Sequence, residues 1–126
     1  MKRILVIDDD WRIVTALETR LRSEGFEVIG AYDGLQGLAL AKDKQPDLIL
    51  MDINMPAGDG FTVADRVEGI PSTQGTPIIF LTASRQPGLR QRAQQIGAAA
   101  FFEKPFDGQL LVDAVREALD RAPSTP

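Results

Sequence analysis

The chain has 126 residues, 44% of them hydrophobic, and its 14 Lys and Arg against 18 Asp and Glu leave a net charge of −4. That is one domain's length with enough apolar material for a core, and its acidity argues against holding nucleic acid or anionic lipid by bulk electrostatics. There is no cysteine and no histidine, so disulfides, thiolate zinc sites, Ser-His-Asp hydrolysis and histidine-held metals are excluded within these residues, and any metal must be a hard cation on oxygen ligands, such as Mg²⁺.

Met1-Lys2-Arg3 is basic, but the apolar run behind it, Ile4 to Ile7, gives way at once to three aspartates. That is too short for a secretory core, and no stretch reaches the roughly 20 apolar residues of a membrane span. A cytoplasmic protein without membrane contact is the expectation. Ile4–Ile7 reads as a strand buried on both faces. Asp10 caps a helix whose apolar positions Val14, Leu17 and Leu21 precede a stop at Gly25. Phe26 to Tyr32 is strand-like and ends at the Asp33-Gly34 turn. Leu35, Leu38, Ala39 and Ala41 predict a second helix that stops before Pro46. Leu48–Met51 is a third buried strand ending at Asp52. After the loop from Pro56 to Gly60, the residues Phe61, Ala64 and Val67 mark a short helix.

A polar connector from Gly69 to Pro77 leads to a fourth strand, Ile78–Leu81, ending at Thr82. Pro87 suits the first turn of a helix with Leu89, Ala93 and Ile96 on its apolar face and Gly97 as its stop. Ala100-Phe101-Phe102 is a fifth strand ending at Lys104-Pro105, its two phenylalanines alternating between faces, one of them in the core. Leu111, Val115, Ala118 and Leu119 form the stripe of a last helix. Residues 1–121 are thus expected to form the domain and 122–126 a linker-like tail. Five strand–helix units predict a three-layer α/β fold, doubly wound, with a parallel sheet between two layers of helices. Ligands of such sheets sit outside the carboxyl ends of the strands.

Those ends carry Asp8-Asp9-Asp10, Asp52, Thr82 and Lys104. Carboxylates gathered at one edge repel each other, and a divalent cation relieves them. A lysine and a threonine hydroxyl supply donors for a phosphoryl group, so with one carboxylate as nucleophile the set is a phosphoryl-transfer site. Asp10 is read as a cap only, and Trp11 as a packing or partly exposed residue.

Four motifs, in order, carry a family resemblance: Ile7-Asp8-Asp9-Asp10, Leu50 to Pro56 with Asp59-Gly60, Leu81-Thr82-Ala83, and Lys104-Pro105-Phe106. Over about residues 2 to 121 the chain resembles the receiver domain of two-component response regulators. The resemblance implies a flavodoxin-like, five-stranded sheet in the order 2-1-3-4-5 with five helices. It implies that Asp52 accepts a phosphoryl group from a partner histidine kinase or phosphotransfer protein. Asp8, Asp9 and Asp52 would hold Mg²⁺, with the Asn54 carbonyl completing the site.

By the same resemblance Lys104 would contact the phosphoryl group, and Asn54 and Ser84 would tune its lifetime. Thr82 would follow the group and let the switch aromatic, Phe101, turn inward. The Lys104–Pro105 bond would be cis. An effector domain or protein would then read the face made by the fourth helix, fifth strand and fifth helix, with Arg90, Arg92, Gln94, Arg116 and Asp120. Ala99 and Ala100 stand where relatives that dimerise through this face carry acids, so a phosphorylation-dependent homodimer there would need another form.

The rival is a haloacid-dehalogenase-type phosphatase, since Asp8-x-Asp10 after the first strand fits an aspartate nucleophile. Its late acidic pair is missing, because Asp113, Glu117 and Asp120 fall on a helix. A nucleotide-binding module ranks low without a glycine-rich phosphate loop, and a non-phosphorylated pseudo-receiver would lack part of the acid, threonine and lysine set.

Overall fold

Three continuous apolar runs, Ile4–Ile7, Leu48–Met51 and Ile78–Leu81, build the centre of the molecule. A computed structural model describes residues 1–56 and 58–121. In it β1 (Arg3–Ile7), β2 (Glu27–Ala31), β3 (Leu48–Asp52), β4 (Ile78–Thr82) and β5 (Ala100–Glu103) form one parallel sheet in the order β2-β1-β3-β4-β5. Between and after them run α1 (Trp11–Ser23), α2 (Gly34–Lys44), α3 (Gly60–Glu68), α4 (Leu89–Gln95) and α5 (Gly108–Arg121). The predicted tail, residues 122–126, lies outside the described residues.

Alternate residues of each strand face opposite layers. Ile4, Val6, Leu48, Leu50, Ile79 and Leu81 pack with α1 and α5, whereas Leu5, Ile7, Ile49, Met51 and Phe80 pack with α2, α3 and α4. The sheet therefore separates two apolar layers. Asp10, Asp33 and Asp59 each cap a helix, accepting from Arg12, Gln36 and Thr62 backbone N–H groups.

Several expected faces are corrected. In α2 the buried positions are Gly34, Gly37, Leu38 and Ala41, while Leu35 and Ala39 face water. Gly37 lets the helix lie close to Ile7 of the sheet and Gly34 lets it approach Val63 of α3, and together they rotate the expected stripe. Pro87 lies in the loop before α4, whose N-cap is Gly88 at φ 88°. Ile96 is half exposed because the helix ends at Gln95, before that side chain could return to the buried face. Phe101 and Phe102 do part to opposite layers, but β5 is an edge strand and neither is fully buried. The connector before β4 is pinned by Thr73, a buried hydroxyl that donates to the Val67 carbonyl at 2.6 Å.

Gly60, the first residue of α3, approaches the end of β3 more closely than any side chain permits. A Cβ there would stand 2.4 Å from the Asp52 carbonyl oxygen and 3.0 Å from the Ile53 Cα. Gly60→Ala must push α3 away from the strand end that carries Asp52. We expect it to cost roughly 1–3 kcal/mol, the usual range for overpacking, read as a lower midpoint in urea.

Candidate functional site

The strand order reverses direction at β1 and β3, where crossovers leave toward opposite faces of the sheet and open a crevice at the carboxyl ends. Ile7 pairs with Met51, so Asp8 and Asp52 are the next residues outward on neighbouring strands. One carboxylate oxygen from each of Asp8, Asp9 and Asp52 lies within 4.8 Å of the others. Asp8 and Asp52 are buried and Asp9 is exposed. Asp10 is not part of the cluster, because its carboxylate accepts from the Arg12 backbone and guanidinium, which hold it below the usual carboxylate range.

Lys104 enters from the end of β5. Its Nζ donates to Asp8 at 2.6 Å and stands 3.7 Å from Asp52, with 14% of its side chain exposed. Its backbone N–H donates to the Thr82 carbonyl at 2.7 Å, which fixes the strand end from which it reaches. The Lys104–Pro105 bond is cis, as the resemblance implied. Thr82 is fully buried, and its Oγ1 accepts the Ser84 backbone N–H at 3.0 Å, tying the β4–α4 loop to that hydroxyl. Asn54 is exposed two residues past Asp52, and Trp11 stands 65% exposed at the start of α1. Phe101 lies half-buried on β5 beneath the Arg90 guanidinium, 4.7 Å above its ring.

Electrostatically the cluster has more negative charge than its one lysine neutralises. The Asp52 carboxyl is pushed from 3.8 up to about 7, first by burial and then by Asp8, with Lys104 opposing the rise and Asp9 adding to it. Because its folded pKa lies above its unfolded one, the native chain holds this proton more tightly between those two values. The contribution of Asp52 to the stability of the cation-free protein should therefore be full near pH 4, fall as pH rises toward 7 and level off above that. Chemical denaturation in chelator across that window should show the slope, and Asp52→Asn should remove it.

Two long-range contacts were not legible along the chain. Arg116, expected on the outer face of α5, instead points back to the α1–β2 junction, 3.2 Å from Glu24 and stacked 5.2 Å over Phe26. It does not join that face. Arg85 and Arg90 converge on Glu103, a meeting that no local motif announces.

The family model for the response regulator receiver domain matches residues 4–116. The chain is 39% identical over its full length to the DNA-binding dual master transcriptional regulator RpaA of a Synechocystis species, covering 52% of that protein. It is 41% identical over 114 residues, 90% of its length, to the response regulator PleD of Caulobacter vibrioides, covering 25% of that protein. It thus spans between a quarter and about half of these relatives. Among solved structures, a putative response regulator from Chloroflexus aurantiacus superposes with a TM-score of 0.88 at 34% identity, covering 95% of this chain and 98% of that one. A CheY-like receiver domain from Methanospirillum hungatei gives 0.89 at 29% identity, covering 97% and 96%. The phosphatase reading finds no support in these matches.

Proposed function

The chain belongs to the response regulator receiver-domain family, and from that premise we propose that it is a signalling switch thrown by phosphorylation of Asp52. One observation carries the reading: the carboxyl edge of the sheet gathers three acids, two of them buried, and a lysine that touches both buried ones, with the buried Thr82 ending the neighbouring strand β4. The donor is a phosphohistidine on a partner histidine kinase or phosphotransfer protein, since this sequence has no histidine.

An Asp52 oxygen attacks phosphorus as the nitrogen–phosphorus bond breaks, and the imidazole leaves. The Lys104 ammonium turns from Asp8 to a phosphoryl oxygen, and the Thr82 hydroxyl donates to another, so positioning and charge neutralisation supply the catalysis. The donor set fits a hard cation, since all its ligands are oxygens within one ion's reach and burial and repulsion already disfavour the ionised Asp52. Asp8, Asp9 and Asp52, with the Asn54 carbonyl, would hold Mg²⁺, whose charge would favour the ionised nucleophile and the crowded phosphoryl oxygens. Beyond moving its own phosphoryl group on and off, the domain catalyses nothing.

Readout is through α4, β5 and α5, where Arg90, Gln94 and Asp120 lie, to an effector domain or protein; Arg116 is elsewhere, and the Arg92 guanidinium turns toward α3, stacked 4.2 Å over Phe61. No described helix is long and apolar enough to cross a membrane, and the cytoplasm, where such kinases present their phosphohistidine, is the proposed location. Residues 1–121 are proposed as the receiver unit.

Incubation with acetyl phosphate and Mg²⁺ should add one phosphoryl group that maps to Asp52, and chelator or Asp9→Ala should reduce labelling severely. Label on another residue, or labelling indifferent to chelator, rejects this reading.

A further inference from the structure

Glu103, on the edge strand β5, is gripped by two arginines from across the β4–α4 connection. Its carboxylate pairs with Arg85 and lies 3.8 Å from the Arg90 guanidinium. Arg85 also donates to the Lys104 carbonyl at 3.1 Å, so its planar fork bridges two consecutive residues of the β5 end. Arg90 stacks on the Phe101 ring and donates to the Phe101 carbonyl at 3.4 Å. From Ala83 to Gln95 the chain carries Arg85, Arg90 and Arg92 and no acid. Glu103 is the countercharge for Arg85 and Arg90, while Arg92 stacks 4.2 Å over the Phe61 ring of α3.

We propose that Arg85, Arg90 and Glu103 form an ionic latch that holds the β4–α4 segment and Phe101 in the unphosphorylated arrangement, and that activation opens it. The proposal rests on the phosphoacceptor reading above. If the Thr82 hydroxyl moves toward a phosphoryl group, Ser84 moves with it through the 3.0 Å hydrogen bond, and Arg85 is the next residue. The Arg85 fork resists that motion because its partners are the last residue of β5, Glu103, and the residue after it, Lys104. Phe101 in turn cannot leave its half-exposed place without unstacking from Arg90. Any ligand that binds better with the loop drawn inward must overcome the latch, and its apparent affinity is lowered accordingly. The paired side chains are 45% to 59% exposed. Such pairs are individually weak, and a latch that opens on signal must be.

Beryllofluoride with Mg²⁺, a phosphoryl mimic, probes the full chain by isothermal titration. Glu103→Gln keeps the shape of the side chain and should tighten binding roughly 3- to 10-fold, the range two weak exposed pairs supply. Arg85→Gln and Arg90→Gln should each tighten it by less. Exposed charges are screened by salt, so the gap between wild type and Glu103→Gln should close near 1 M salt, where the Debye length is about 3 Å. Equal or weaker binding by Glu103→Gln, or a gap that salt leaves unchanged, overturns the latch while leaving the phosphoacceptor reading intact. A folded wild type that binds no beryllofluoride takes both down.

Discussion

Asp52→Asn should abolish phosphoryl uptake while making the cation-free protein more stable at pH 8. The residue is 5% exposed at the end of a strand buried throughout, and asparagine fills its space with a neutral amide. What disappears is the nucleophilic oxygen and a charge whose ionisation the surroundings oppose, since the Asp52 carboxyl titrates at about 7. Losing the charge removes repulsion from Asp8 and Asp9, so the melting temperature in chelator should rise. Losing the oxygen should bring labelling by acetyl phosphate below detection in intact-protein mass spectrometry. The opposite directions separate chemistry from folding. A variant labelled as fully as wild type would remove Asp52 from the mechanism.

Lys104→Ala should be the costliest change at the site. It deletes the one cation, among the described residues, in contact with these two buried carboxylates, 2.6 Å from Asp8 and 3.7 Å from Asp52. Stripping one partner from a buried pair typically costs about 3–5 kcal/mol. That cost should be approached in chelator at pH 8 and be smaller at pH 5, where a proton on Asp52 replaces the lost charge. Added Mg²⁺ should restore much of the stability, because cation and lysine answer the same excess of negative charge. It should not restore phosphorylation, which needs a donor on the β5 side of the crevice. Urea midpoints with and without Mg²⁺, set beside labelling rates, give both quantities. Equal recovery of the two would reduce Lys104 to a structural counterion.

The sheet and its acid cluster were legible because strands buried on both faces admit only apolar residues. Each run therefore stops where the polar chemistry begins, at Asp8, Asp52 and Thr82. The Asp10 cap was equally plain, since it acts on a donor two residues ahead, whereas Asp33 and Asp59, which cap α2 and α3, read only as turn and loop residues. Helix faces were less so. Leu35 looked like core and faces water, because Gly37 and Gly34, invisible as apolar residues, set how α2 lies on the sheet and against α3. Contacts across the fold were not legible. Nothing local directs Arg116 to Glu24, 92 positions away, or makes Glu103 the meeting point of two arginines. Long flexible charged side chains choose partners only after the backbone has placed them.

The separation of the core into two apolar layers sets how evenly the molecule resists opening. α1 and α5 each bury three or four side chains in one layer, and α3 buries Val63, Val67 and the Phe61 ring in the other. α4, seven residues long and without a side-chain cap, buries only Ala93, with Leu89 half covered. Local unfolding free energy follows buried contact, so α4 is the helix that comes loose first. Its amide protons should exchange with water faster than those of the strands, through brief excursions that leave the sheet and the opposite layer closed, so that the molecule lends out one helix without risking its fold.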